Sequence, residues 1–318
     1  MKVLVIGKEE SILEQLGEQV EQCGCTPVFT DDFSVAYEAI DQVDMEICAI
    51  VIDDLIDDKH AQYSQQDIQM FLNSMREMNG TIYPYILVIT PILSKEKQLQ
   101  LLQSGADCVL DAPISFVHVG VQLQVAKRMI EFQQRQLHVQ EDLWNQANYD
   151  PLTEIPNRRS ILQNLQRLGG LAVQREQPLG ILMLDLDHFK RINDTYGHDC
   201  GDVVLKESAS RMKQSLRNSD MVGRFGGEEF LVLIPNCVGE ELIRLAERIR
   251  VSVNKPVAYN DKLIPVSCSV GVAVYYDPQE DVHEILQRAD KALYVAKAMG
   301  RNRVVCAWML NEYYQNIS

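Results

Sequence analysis

Two α/β domains in tandem, joined by one long helix, are what this sequence predicts. Three observations carry that reading. At 318 residues, 46% hydrophobic and 24% charged, the chain is too long for one typical domain and apolar enough for two cores. Short, continuous apolar runs alternate with amphipathic stretches over the first 113 residues. A second α/β pattern opens at Asp150, and in it two apolar runs meet across Gly226-Gly227.

In the first domain, residues 2–6, 47–52, 86–89 and 108–110, with a weaker run at 27–29, read as buried parallel strands. Strands covered on both faces are apolar throughout rather than alternating. Amphipathic helical stretches fall between them at 11–23, 67–78 and 94–104, the last stopped by Gly105. Five β–α units predict a doubly wound five-stranded parallel sheet, with ligand chemistry at the carboxyl ends of its strands.

Residues 115–148 form one helical stretch with no Pro and a single early glycine, Gly120. Leu123, Ile130, Leu137 and Trp144 recur at seven-residue spacing, and Ala126, Gln133, Gln140 and Ala147 follow three residues later. That is a heptad seam with one apolar row and one half-polar row. Residues 117–129 are expected to pack on their own domain. Residues 130–147, with polar flanks, are expected to pair as a two-stranded coiled coil weak enough to shift register. The predicted organisation is a first domain at 1–127, a linker helix at 128–148 and a second domain at 149–318.

In the second domain, strands are expected at 181–184, 221–225, 230–234 and 266–274, with helices at 158–168, 201–216, 240–253 and 282–299. Gly226-Gly227 reads as a tight hairpin turn, since glycines adopt positive φ without steric cost. A hairpin among helix-linked strands predicts an α+β domain with a mostly antiparallel sheet.

Composition excludes some functions. No apolar run approaches the roughly 18 residues a membrane span requires, and the N-terminal residues read as a strand rather than a signal peptide. Cys23 and Cys25 are the only close pair among eight scattered cysteines, a spacing too sparse to argue for a metal. Reduced thiols and a cytoplasmic location are the expectation. Residues 1–120 hold 6 Lys+Arg against 20 Asp+Glu, nearly all of the net charge of −15, and such a surface repels nucleic-acid phosphates. No basic helix-turn-helix is present.

Two acidic clusters close neighbouring strands: Asp185-Leu186-Asp187 after 181–184, and Glu228-Glu229 in the hairpin. Carboxylates crowded beside apolar strands destabilise a fold unless a cation compensates them. Mg²⁺ suits carboxylate and phosphate oxygens, and metal-bridged phosphates beside an activated hydroxyl are the recurring arrangement for nucleotidyl transfer.

The residues around these clusters resemble the GGDEF family of diguanylate cyclases over about 148–307. Gly226-Gly227-Glu228-Glu229-Phe230 matches the signature in its GGEEF form. Asp150-Pro151-Leu152-Thr153-Glu154-Ile155-Pro156-Asn157-Arg158-Arg159 is similar to the opening motif, with Glu154 where the family has Gly. Asp185 to Lys190, Asn193-Asp194, Tyr196-Gly197-His198, Gly201-Asp202, Ser269 to Ala273, Ala289 to Tyr294 and Lys297 with Gly300-Arg301-Asn302 complete the match.

The resemblance implies a nucleotidyl-cyclase-like domain that condenses two GTP into cyclic di-GMP, with Mg²⁺ or Mn²⁺ as cofactor. It implies Asp185, Glu228, Glu229 and the Leu186 carbonyl as metal ligands, and Glu228 as the base for the ribose 3′-hydroxyl. Asn193 and Asp202 would read guanine, with His198 nearby. Lys297 and Arg301 would neutralise the triphosphate, and Phe189 and Lys190 would shape the phosphate-binding turn. It implies a homodimer, because each site holds one GTP. Arg217 and Asp220, in Arg217-Asn218-Ser219-Asp220, match the family's product-inhibition motif, and Arg248 matches a second arginine of that site. The alternative is a catalytically silent receptor for cyclic di-GMP or GTP, a reading that the intact signature residues disfavour.

Residues 1–127 resemble a response-regulator receiver of two-component signalling, by pattern more than by motif. Asp53 stands at the phosphoacceptor position, Thr90 at the switch hydroxyl and Pro113 at the turn after the last strand. Gly7 and Lys8 stand where two metal-binding acids are expected, and Ala112 where a lysine is expected. A degenerate receiver is therefore expected, governed by a protein partner or by dimerisation in preference to phosphorylation of Asp53, with a histidine kinase as the alternative partner.

Overall fold

The computed structural model describes residues 1–7, 10–36, 47–52, 65–77, 83–90, 94–111, 113–275 and 281–310. The chain divides into two compact units between Glu141 and Asp142. Among the described residues no helix is long and apolar enough to cross a membrane, and no disulfide joins the cysteines.

The first unit contains β1 (Lys2–Ile6), α1 (Glu10–Gln22), β2 (Thr26–Thr30), β3 (Ile47–Ile52), α2 (Gln65–Glu77), β4 (Tyr85–Thr90), α3 (Lys95–Gln103) and β5 (Cys108–Asp111). Its strands form one sheet in the order β2-β1-β3-β4-β5, and every pairing is parallel. β4 is buried at all six positions, as its unbroken apolar run requires. Alternate side chains feed two cores: Ile86 and Val88 pack with α2, while Leu87 and Ile89 pack with Leu16, Val119 and Leu123. Gly7 follows β1 and donates its N–H to the Thr30 carbonyl, and Thr90, closing β4, is buried. Lys8, Asp53 and Ala112 lie outside the described residues.

Helix α4 (Phe116–Asn148) runs unbroken. Val119, Leu123, Ala126 and Ile130 are buried, and the Gln133 side chain accepts from the Tyr83 N–H at 3.0 Å. The first unit therefore takes up the early part of the Leu123–Ile130 row. The exposed apolar side chains lie largely on another face: Met129, Phe132, Val139 and Leu143, with Trp144 beside them. Their 3, 7 and 4 spacing is itself heptad-like.

The second unit contains α5 (Arg158–Arg175), β6 (Leu179–Leu186), α6 (Phe189–Tyr196), α7 (His198–Gln214), β7 (Met221–Arg224), β8 (Glu229–Pro235), α8 (Gly239–Val253), β9 (Val257–Tyr259), β10 (Lys262–Ile264), β11 (Cys268–Tyr275), α9 (Val282–Ala298) and β12 (Val304–Cys306). The main sheet has the order β12-β11-β6-β8-β7, antiparallel except for β11–β12. Central β6 and β11 are buried at every position. Leu182, Leu184 and Leu186 face the core that holds α6, α7 and α8, while Ile181 and Met183 face α5 and α9. Period-two alternation therefore sends Asp185, after Met183, to the α9 side. The α/β class with an antiparallel second sheet is what the sequence predicts. The short β9–β10 hairpin and β12 are additions to it.

Candidate active site

The β6–β8 register puts Asp185 directly opposite Glu229. Side chains of such antiparallel partners leave the same face with Cβ atoms about 5 Å apart, close enough for two carboxylates to address one cation. Asp185 is buried and its Oδ2 pairs with Lys297 Nζ of α9 at 2.7 Å. Burial pushes the Asp185 carboxyl up; the Lys297 bond and charge act against this, as does the charge of Arg301, while Asp187 adds to the rise. Glu228 is also raised, first by burial and then by the Asp185 charge, with Glu229 adding to it and Lys297 opposing. A pocket that raises two carboxyl groups despite a lysine is one that favours added positive charge.

Among the described residues no three His, Cys, Asp or Glu side chains stand together as a ready metal site. Instead Glu229 Oε2 turns back over Gly226, where a Cβ would overlap it. The carboxylates of Asp185, Glu228 and Glu229 and the Leu186 carbonyl, with phosphate and water oxygens as the remaining donors, are still a set from which Mg²⁺ can draw the few protein ligands it binds. All the donors are hard oxygens, and Lys297 already holds a cation at Asp185. The residues fit a divalent ion.

The hairpin differs from the expected tight turn. Four residues, Phe225 to Glu228, separate β7 from β8, and the N–H groups of Phe225 and Gly226 both donate to the Glu229 carbonyl, at 2.8 and 3.2 Å. Neither Gly226 nor Gly227 has positive φ. A Cβ at Gly226 would meet the outer end of the Glu229 side chain and displace its carboxylate, and Gly227 faces open space.

Arg224, absent from the sequence reading, braces this loop. Its guanidinium donates to the Gly227 carbonyl at 2.7 and 3.1 Å and to both Asp150 oxygens at 3.0 and 3.1 Å. Asp150 also accepts from the N–H and hydroxyl of Thr153. Burial pushes the Asp150 carboxyl up, but the Thr153 and Arg224 bonds outweigh it and leave it lowered. Arg158 adds a cation–π contact to Phe225, 4.7 Å from the ring centroid. The opening motif thus clamps the signature loop. Glu154 sits in that motif with φ 56°, the left-handed conformation that favours glycine.

The other expected residues lie on α6, α7 and α9. Phe189 is buried in the core, so its side chain supports the turn from beneath, while Lys190 is exposed. Helix α6 begins without a side-chain cap, and the first N–H groups of such a helix suit an anion. Asn193 Oδ1 is buried with no hydrogen-bond partner among the described residues. It lies over Gly201, where a Cβ would overlap it. Asp202 and His198 are exposed on α7, and Arg301 is exposed just after α9.

Away from this face, Arg217 and Asp220 close one turn, the Arg217 N–H donating to Asp220 Oδ2 at 3.0 Å. The Arg217 guanidinium pairs with Glu241 of α8 at 2.8 Å. Arg248 donates to the Ser215 carbonyl at 2.8 Å, bringing it to the same end of α7.

Comparison with known proteins places these features in a family. Residues 147–303 match the model described as "Diguanylate cyclase, GGDEF domain". The chain is 48% identical over 132 residues to "Diguanylate cyclase A" of Treponema denticola, covering 41% of this chain and 36% of that protein. It is 35% identical over 242 residues to "Response regulator PleD" of Caulobacter vibrioides, covering 74% of this chain and 52% of the relative. The match thus spans from about a third to about half of these curated relatives. Among solved structures, the coiled coil and GGDEF domain of DgcB from Caulobacter crescentus, in complex with c-di-GMP, is 30% identical with a TM-score of 0.53. That match covers 58% of this chain and 98% of that one. Diguanylate cyclase SiaD of Pseudomonas aeruginosa, in complex with its activator SiaC, is 37% identical with a TM-score of 0.50, covering 59% of this chain and 73% of that one.

Proposed function

The chain belongs to the GGDEF, or diguanylate cyclase, family through its second unit, and on that premise we propose that it condenses two GTP into cyclic di-GMP and two pyrophosphates. The observation that carries the proposal is the pairing of Asp185 with Glu229 across β6 and β8, beside Glu228 and Lys297. Asp185, Glu228, Glu229 and the Leu186 carbonyl would hold Mg²⁺ or Mn²⁺, which when bound supplies a Lewis acid at the phosphate oxygens.

The chain's own groups do the rest. Asn193 and Asp202 hydrogen-bond the guanine edge, and the unpartnered Asn193 Oδ1 supports this role. His198 lies alongside on the first turn of α7. The N-terminal N–H groups of α6, at Phe189 and Lys190, face phosphate. Lys297 exchanges Asp185 for the triphosphate and, with Arg301, offsets the charge that builds on the leaving pyrophosphate. Glu228, with its raised affinity for a proton, takes the hydrogen of the ribose 3′-hydroxyl. The freed oxygen bonds to the α-phosphorus of the second GTP as its α–β anhydride bond breaks, and a reciprocal step closes the ring.

Each domain holds one GTP, so the reaction requires two domains face to face in a homodimer. The exposed row Met129, Phe132, Val139 and Leu143 on α4 supports pairing of two chains, and a tethered partner reaches an effective concentration on the order of mM. Arg217, Asp220 and Arg248 would bind cyclic di-GMP as a feedback inhibitor. The first unit would be a cytoplasmic receiver-like regulator whose phosphoacceptor candidate, Asp53, lacks its usual acidic and lysine neighbours. Control by a protein partner is favoured over control by a histidine kinase.

The test is the turnover of GTP with Mg²⁺ measured across protein concentration. A cyclase acting between chains loses rate per protomer on dilution below its dimer dissociation constant. GTP hydrolysed at a rate independent of dilution contradicts the proposal.

A further inference from the structure

Asp187 is buried in the second unit, two residues past Asp185, and no step above uses it. A buried carboxylate with no partners would be strongly destabilising, so its surroundings must satisfy it. Its Oδ1 accepts from the Ser269 hydroxyl at 2.7 Å, and its Oδ2 accepts from the Ser267 hydroxyl at 2.8 Å and from the Asn302 N–H at 3.0 Å. Its own N–H donates to the Ser267 carbonyl at 2.8 Å. One side chain thus ties the end of β6 to the start of β11 and to the turn after α9.

That turn is unusual. Gly300, Arg301 and Asn302 are consecutive residues with φ of 111°, 64° and 45°. Two adjacent non-glycine residues in the left-handed region cost energy and persist only where the surroundings impose them. On the outer side Arg250 donates to the Asn302 carbonyl and side-chain oxygen, at 3.3 and 2.6 Å. On the inner side the anchor is Asp187. Arg301 immediately precedes this doubly held residue, its own N–H donates to the Ala296 carbonyl at 3.0 Å, and its charge reaches Asp185.

We propose that Asp187 is a positioning residue: by holding the Asn302 amide it fixes the left-handed turn that aims Arg301 at the nucleotide triphosphate. The inference rests on the cyclase reading for its consequence, but its physical core does not. Asp187 holds this turn through hydrogen bonds rather than charge. Asn at this position retains an acceptor for the Asn302 N–H, and its amide can donate to the Ser269 hydroxyl oxygen. Ala retains neither.

The experiment has two arms on the full chain. Amide hydrogen exchange at Asn302 is read first, and it does not depend on activity. Asp187→Ala should lose protection there and Asp187→Asn should keep it; unchanged protection in Asp187→Ala overturns the proposal, even if the protein makes no cyclic di-GMP. The second arm is a double-mutant cycle on kcat/KM for GTP. Asp187→Ala should lower it by about 10- to 100-fold, the scale of a misplaced positioning group, and Asp187→Asn by less than about threefold. In an Arg301→Ala background, Asp187→Ala should add nothing further. Additive losses, or Asp187→Asn as damaging as Asp187→Ala, would overturn it. Should Asp187→Ala fail to fold, Ser269→Ala, which removes one of the same bonds, carries both arms with a smaller loss.

Discussion

Replacing Gly201 by Ala tests the guanine pocket at one atom. Gly201 occupies the first turn of α7, where Ala is ordinarily favoured over Gly by about 1 kcal/mol. Here the added methyl would fall inside Asn193 Oδ1, 3.0 Å from Asn193 Cγ and 3.1 Å from Phe189 Cζ. The buried Phe189 ring has little room to retreat, so the Asn193 side chain must rotate away. The helix gain and the displacement offset each other, and the melting temperature should move by only a few degrees. Guanine recognition has no such offset. Loss of a good base-edge contact removes about 1–3 kcal/mol of discrimination, which is about 5- to 150-fold in kcat/KM for GTP. The preference for GTP over ATP should fall by the same factor. Paired melting curves and steady-state kinetics with both nucleotides decide it. Wild-type kcat/KM and an unchanged GTP preference in a folded Gly201→Ala protein would refute the assignment of Asn193.

Glu228→Gln should lower turnover by about 10²- to 10⁴-fold, the usual loss of a general base, and should also stabilise the fold. The Glu228 carboxyl is raised in the folded protein, so its favourable contribution is present below the unfolded pKa and is lost as pH rises through the folded one. Melting curves of variant and wild type should therefore coincide in acid and separate toward neutral pH, with the variant higher; the reverse order contradicts the electrostatics. Glu154→Gly should raise stability by about 1 kcal/mol by relieving the left-handed Glu, seen as a melting shift of about 3 °C with unchanged turnover. Arg217→Ala should abolish inhibition by added cyclic di-GMP and raise the product accumulated from GTP. Inhibition at wild-type concentrations in that variant would remove the feedback site from Arg217.

The parallel sheet was legible because strands buried on both faces must be apolar throughout, and 86–89 is such a run. The long helix was legible as a helix, but its seam was not. A seven-residue repeat gives a period, not the surface that meets it: Leu123 lies in the stretch expected to pack on its own unit and does so, whereas Ile130, placed at the start of the pairing stretch, is buried there as well. Gly226 was marked correctly but for the wrong reason, since it gives room to Glu229 rather than a left-handed turn. Asp185, Glu228 and Lys297 could be read because they sit inside short motifs. Arg224 and Asp187 could not be assigned roles, since their partners lie far along the chain, at Asp150 for the one and at Ser267, Ser269 and Asn302 for the other. Single charged residues with distant partners carry no local periodicity.

A mass-resolved product assay, with purified protein, GTP and Mg²⁺, addresses the chemistry at its root when run beside the Glu228→Gln protein. Cyclic di-GMP and pyrophosphate should form at one to two with the wild type and be absent with the variant. Intact GTP after incubation with the folded wild type, or equal product from both proteins, would contradict the reading of the paired strand ends as a cyclase site.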